Sequence, residues 1–464
     1  MSTASTAPPS HNLINRLLSG PLADLILRPW YDPLALFGVV RAYMPVSRAW
    51  AAATAAEGDP QRFLQALGQP RSLGPGLARA IAETRRRGEI HARAEAEWRD
   101  AAFGGGGADL AALEERRLAC ADAWMRERGA FLPAHVLRGF EPVKYDIESN
   151  ADVQAHHGAR LANLSIAFAG ADDTTGIAAS RACRLHGRNV SWLRAPAGPR
   201  GGEGPAWARV EHGDEPPKGA IVFCHGIMME REHWTSLYDQ SEVFLASEGG
   251  APEGGSLAVI SPEGPGHGRR KLPGLYGGEQ ILARGLGGIL DYFAAHVVEV
   301  GRLIAWARAK FGGPVAVGGV SLGALTAQLV VSAARHWPAA ARPDAAFLLT
   351  TNESMIDVVF RGSLAGGLNF PRALTAAGWT EADVQRWRPL VEPGGSALPP
   401  ERIVCVLGTT DTVTPIAGGE RLAARWSIPP ANVFRWHGGH FAAAFSVLRD
   451  RAPVRRLKAA MENS

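Results

Sequence analysis

A chain of 464 residues is long enough for more than one domain, and with 46% hydrophobic and 20% charged residues it has a core-forming composition. The net charge of +4 is small for this length. The basic clusters (Arg85, Arg86, Arg87; Arg269, Arg270, Lys271) are short and no zinc-finger or RNA-binding pattern occurs, so no nucleic-acid partner is expected.

Residues 1–12, MSTASTAPPSHN, lack the charged start and apolar core of a secretory signal and read as disordered. No stretch reaches the roughly 20 uninterrupted apolar residues of a membrane-spanning helix. The most apolar N-terminal segment, LADLILRPWYDPLALFGVVRAYMP, is broken by Arg28, Pro29, Asp32 and Pro33. It suits two amphipathic helices, and two placements stay open. They lie on a bilayer surface with Trp30 and Tyr31 at the headgroups, a peripheral contact, or they pack on the main domain, which is the expectation here. Residues 13–179 read as a helical N-terminal extension, with GGGG at 104–107 as a joint and a helix over Leu110–Arg128.

From about residue 180 the pattern changes. NVSWLRAP (189–196) and AWARVEH (206–212) read as strands around a Pro/Gly-rich turn. Apolar runs at 220–225, 256–261, 314–319, 344–350, 402–408 and 431–436 then alternate with helical segments around 231–247, 288–311, from 322, and 416–426, with a closing helix. Continuous apolar strands between helices imply a mostly parallel sheet covered on both faces. Residues 352–399 interrupt this rhythm with helical, Gly/Pro-rich material and are expected to form an insertion, a lid, over one edge. Cys224 and Cys405 lie inside apolar runs and Cys120 and Cys183 elsewhere, without a CxxC pair. A reducing, cytoplasmic setting is expected, with no zinc or redox motif.

In such a sheet, ligands bind beyond the carboxyl ends of the strands. Three of these ends carry a coherent set. Strand 314–319 runs into Gly319-Val320-Ser321-Leu322-Gly323, where a serine at a sharp strand-to-helix turn needs glycine-sized neighbours on both sides. Strand 402–408 is followed by GTTDTVTP with Asp411, and strand 431–436 by HGGHF with His440. A serine hydroxyl is a poor nucleophile near neutral pH. It needs an imidazole to take its proton and a carboxylate to orient that imidazole. Ser321, Asp411 and His440 are therefore the expected catalytic residues, ahead of the rivals His437, Asp357 and Asp383. Acyl transfer also needs N–H donors for an oxyanion, and the backbone N–H groups of Leu322 and of Ile227, in HGI after strand 220–225, are expected to supply them. His225, Gly226, Gly319 and Gly323 are supporting loop residues. His267 reads as a loop brace. Glu230, Arg231 and His233 could contact a polar head group but read as solvated surface. The aspartates and histidines do not have metal-ligand spacing, so no metal and no cofactor are expected.

These motifs resemble the α/β-hydrolase superfamily over residues 180–464. SPEGPGHGRRKLPG after strand 256–261 looks like that family's proline–glycine–histidine–glycine turn, with Ser261 and Glu263 where an aspartate is common. HGIMMEREHW, GHGRRKLPG, GVSLG and GGHF are also similar to a lesser-known branch of α/β-hydrolase-domain proteins suspected of acting on acyl lipids. The resemblance implies a serine hydrolase of small-molecule or lipid esters acting through an acyl-serine intermediate. An acyltransferase or a serine peptidase would use the same triad, and a non-catalytic binding module would use the same fold. The oligomeric state is not legible in these residues.

Overall fold

The computed structural model describes residues 27–68, 74–202, 204–230, 239–245 and 257–462, together with Asn15, Leu17, Leu18, Gly20 and Ala23. The segment expected to be disordered, 1–12, lies outside the described residues, as does the first half of the helix expected around 231–247. Among the described residues of its second half, Glu242–Leu245 forms a short helix.

Ten strands of the described residues form one sheet in the order β1-β3-β4-β6-β5-β7-β8-β9-β10, with β2 paired to β3. They are β1 Ala178–Ala179, β2 Cys183–Leu185, β3 Arg188–Ala195, β4 Ala206–His212, β5 Gly219–Cys224, β6 Leu257–Pro262, β7 Val315–Val320, β8 Ala345–Leu349, β9 Ile403–Gly408 and β10 Val433–Trp436. The ladders from β6 through β5, β7, β8 and β9 to β10 are parallel. The first strands and β4 against β6 run antiparallel. β5 to β9 are buried at every position, as strands covered on both faces must be. Cys224 and Cys405 are buried within them as small apolar groups.

The helices that matter for the site are α1 Tyr31–Gly38, α2 Met44–Ala55, α3 Pro75–Gly104, α4 Leu110–Arg126, α5 Leu132–Arg138, α6 Asn150–Ala162, α7 Leu286–Phe311, α8 Leu322–Ala333, α9 Ile416–Arg425, α10 His440–Ser446 and α11 Ala452–Glu462. α1 continues into α2 through a π-turn at Val39–Tyr43. Pro45 has no N–H to give the carbonyl four residues earlier, that of Arg41. His135 of α5 fills the vacancy, with Nε2 at 2.8 Å from Arg41 O while Nδ1 accepts from Phe140 N. α6 is capped by Ser149, whose hydroxyl accepts from Asp152 N.

The N-terminal helices pack against the sheet. Trp98 of α3 meets Trp192 of β3 and Trp207 of β4 at 5.7 and 6.2 Å between ring centroids. The Arg269 guanidinium lies 4.5 Å from the Trp192 ring centre and 4.7 Å from that of Trp207. It binds Glu95 of α3 at 2.7 Å and also Glu263. Arg117 of α4, fully buried, lies over Trp98 and pairs with Glu114 at 2.9 Å and Glu95 at 3.1 Å. A buried cation survives here because carboxylates and ring faces surround it.

The material between β8 and β9 forms five short helices, from Met355–Arg361 to Arg388–Val391. β8 and β9, which it connects, are neighbours in the sheet. Met355, Val359, Ala365 and Phe370 of this segment line a cavity with Ser321. Among the described residues no helix is long and apolar enough to cross a membrane.

Candidate active site

Ser321 stands between β7 and α8 with φ 55° and ψ −119°, on the left-handed side that a β-carbon disfavours. Such a conformation costs of order 1–3 kcal/mol and persists only where neighbours over-determine it. Two glycines allow it. A Cβ on Gly319 would overlap the backbone of Gly323, and one on Gly323 would overlap the carbonyls of Cys224 and His225. The turn is held by Ser321 N donating to Leu349 O at 3.0 Å.

Asp411 and His440 meet past the ends of β9 and β10, next to Thr414, which lines a cavity with Ser321. His440 Nδ1 lies 2.8 Å from Asp411 Oδ2, and both residues are buried. The Asp411 carboxylate is fixed by Val413 N and Thr414 N, each at 2.9 Å, and by the Thr414 hydroxyl at 2.8 Å. Because Oδ2 already takes the Thr414 proton and Oδ1 two backbone donors, this carboxylate is locked in one orientation and faces Nδ1–H. Among the described residues no hydrogen bond is formed at His440 Nε2. Among the described residues the Ser321 hydroxyl makes no hydrogen bond to the imidazole. Such contacts commonly tighten only with substrate bound. Of the rivals, His437 is exposed, and Asp357 and Asp383 are tied to Arg361 and Arg421 and to Thr380 respectively.

The loop after β5 passes directly over the serine. A Cβ built on Gly226 would stand 3.6 Å from Ser321 Cβ. His225 braces this loop: its Nε2 accepts from Gly264 N at 3.0 Å, so Nδ1–H is the group that donates to Gly226 O at 2.8 Å. His267 packs edge-on to His225 at 4.6 Å, and burial followed by His225 drives its pKa well down. It is a neutral brace.

Ile227 and Leu322 line one cavity with Ser321 and Thr414. The cavity is about 80 Å³, and its other walls are apolar, among them Ile281, Leu325, Met355, Val359, Ala365 and Phe370. A cleft of about 980 Å³ lies elsewhere, between α2, α3 and the 268–275 loop. Larger though it is, it contains neither the serine nor the Asp411–His440 pair, and its charges are largely paired with one another, as Arg85 with Glu89 and Lys271 with Glu230.

Three residues gain roles that the sequence reading did not give them. Thr414 touches both Asp411 and His440, at 2.8 and 3.2 Å. The Asp-x-x-Thr spacing is the one signal that could have pointed to it. Asp32 of α1 accepts from Gly439 N at 3.0 Å and Phe441 N at 2.7 Å, capping the helix that begins with His440. Glu230 is not solvated surface. It is 2% exposed, paired with Lys271 at 3.1 Å and Arg128 at 3.2 Å, and those cations outweigh burial to hold its pKa down. Arg231 and His233 lie outside the described residues. Among the described residues no group of three or more His, Cys, Asp or Glu is placed to hold a metal ion.

No curated protein matches this chain. Among solved structures it is similar to a cold-adapted esterase from an Arctic intertidal metagenomic library, at 14% identity and TM-score 0.39, covering 61% of this chain and 97% of that one. It is also similar to an esterase of the archaeon Pyrobaculum calidifontis (16% identity, TM-score 0.39, 72% and 95% covered). A third is brefeldin A esterase, a bacterial homologue of human hormone sensitive lipase (15% identity, TM-score 0.38, 69% and 84% covered). The family model described as the alpha/beta hydrolase family matches residues 221–455, the span from β5 through the elbow and the Asp411–His440 pair, and this chain belongs to that family.

Proposed function

We propose that the protein is a serine hydrolase of carboxylic esters with apolar acyl groups. The observation that carries this reading is the Asp411–His440 contact at 2.8 Å, joined through Thr414 to the apolar cavity whose wall holds Ser321 at φ 55°. His440 Nε2 takes the Ser321 proton as Oγ attacks the acyl carbon, and Asp411 keeps Nδ1–H in place and stabilises the imidazolium. The N–H groups of Ile227 and Leu322 receive the developing oxyanion. The alcohol leaves with the proton from His440. Water then gives a proton to His440 as it attacks the acyl-Ser321, and His440 returns that proton to Ser321 Oγ as the acid leaves. The chain's own groups complete this cycle, and no cofactor is needed. The four free thiols suit a reducing, cytoplasmic setting.

The apolar walls support acyl chains over polar groups, since each buried methylene contributes about 0.8 kcal/mol. A panel of p-nitrophenyl esters of graded acyl length tests the reading. kcat/KM is expected to rise several-fold from acetate to medium chains. A flat profile, or hydrolysis of peptides alone, would overturn the acyl-ester assignment.

A further inference from the structure

Met228, next to Ile227 in the loop over Ser321, has φ 65°, in the region that a β-carbon disfavours. Such a residue keeps its place only where its surroundings hold it. The turn at 276–278 is one hold: a Cβ on Gly278 would stand 3.0 Å from Met228 N and 3.0 Å from Ile227 Cγ1. Glu230, two residues beyond Met228, is the other. Its carboxylate accepts Gly277 N at 2.8 Å, so the loop is pinned to the same turn.

Glu230 is in turn gripped by two cations. Arg128 Nη2 donates to it at 3.2 Å and Lys271 Nζ at 3.1 Å. Arg128 stands 102 positions earlier in the chain, in the N-terminal extension, where it lies 4.6 Å from the Trp50 ring centre and donates to the Tyr43 hydroxyl. Arg128 and Glu230 are 4 and 2% exposed. Apolar side chains would join the extension to the loop at no greater cost, since a buried ion pair repays its desolvation poorly. What the ion pair adds is direction. Three donors on one buried carboxylate fix where it lies, and with it the backbone three residues after the Ile227 N–H.

We propose that Glu230 is a positioning residue of the hydrolase: with Arg128 and Lys271 on its carboxylate, it sets the Ile227 N–H where the oxyanion forms. The extension then serves both sides of the site, through Arg128 and Glu230 at the oxyanion loop and through Asp32 at the start of the His440 helix. The proposal rests on the hydrolase reading.

The test is Glu230→Gln, which keeps the side chain's shape and removes its charge. With a soluble ester, kcat is expected to fall by about tenfold and KM to stay within about twofold. A trifluoromethyl ketone with an apolar chain gives the second readout. Ser321 Oγ adds to its carbonyl carbon, the serine proton passes to His440, and the carbonyl oxygen becomes an oxyanion. Its affinity should weaken by the same factor as kcat/KM, because both report the oxyanion donors. Lys271→Met, at the edge of the cluster, should give a smaller loss of the same kind, and it carries the test if Glu230→Gln folds poorly. The double variant should lose no more than Glu230→Gln alone, because Lys271 acts through that carboxylate. A lowered Tm with kcat and ketone affinity unchanged in the folded variants would overturn the proposal, as would a raised KM at unchanged kcat. These outcomes presuppose an active unmodified chain and leave the hydrolase reading standing. An unmodified chain that neither hydrolyses esters nor binds the ketone would overturn that reading, and the proposal with it.

Discussion

Asp32 reaches across the fold to His440: its carboxylate accepts the N–H groups of Gly439 and Phe441, the residues on either side of the histidine and 407 and 409 positions later in the chain. An acid at this place satisfies orphan donors at a helix start and complements its dipole. Gly439 is required, because a Cβ there would overlap the Asp32 carboxylate.

Asp32→Ala should therefore act on turnover and not on binding. kcat is expected to fall by about tenfold, the scale of a small misplacement of a catalytic group, with KM within about twofold. Steady-state kinetics with a soluble ester, beside a thermal melt, check it. A loss confined to Tm, with kcat unchanged in the folded fraction, would make Asp32 a packing residue only.

The two histidines of the last loop should separate cleanly. His440→Ala is expected to lower kcat nearly as far as loss of the serine, because groups that act as a unit are not additive. His437→Ala, at an exposed position, should retain most activity. Single-turnover rates of the two variants decide between them.

The cavity wall formed by residues 355–370 should set acyl length. Ala365 lines the cavity beside Ser321 and is 9% exposed. Ala365→Trp fills that space, so kcat/KM for medium-chain esters should fall by about tenfold or more, while acetate esters change by less than about threefold. An equal loss for all chain lengths would mean that the acyl group lies elsewhere.

Stability at low pH should depend on Glu299. This buried carboxylate of α7 holds Arg270 through two contacts at 2.8 Å and accepts Gly198 N at 2.8 Å. Burial works to raise its pKa, but Arg270 and His296 outweigh that and bring it from 4.5 to about 2. A depressed pKa gives stability that is present above the unfolded value and lost as pH falls through the folded one. Glu299→Gln should cost roughly 3 kcal/mol near neutral pH. The gap to the unmodified chain should narrow from about pH 4.5 down toward 2. Urea unfolding at several pH values checks the sign; a gap that widens on acidification contradicts it.

What was legible in the sequence follows from how local each signal is. The elbow announces itself because Gly319 and Gly323 flank Ser321 within one turn, and the strands because apolar runs are continuous. Asp411 and His440 lie just past such runs. Asp32 was invisible as a cap, since its partners lie at the other end of the chain. Glu230 misleads for the same reason: in Glu-Arg-Glu it looks solvated, yet Arg128 and Lys271, 102 and 41 residues away, close over it. The break in rhythm at 352–399 reads as a helical insertion, but which strands it joins as neighbours depends on strand order, which only the pairing of β7, β8, β9 and β10 reveals.

The most direct test of the account is where a fluorophosphonate attaches. Intact-mass and peptide analysis after labelling should show one adduct per chain, on the peptide containing Ser321, and none in Ser321→Ala, whose turnover should fall by about five to six orders of magnitude. An adduct on another residue, or full labelling of Ser321→Ala, would contradict the assignment of the nucleophile and with it the mechanism.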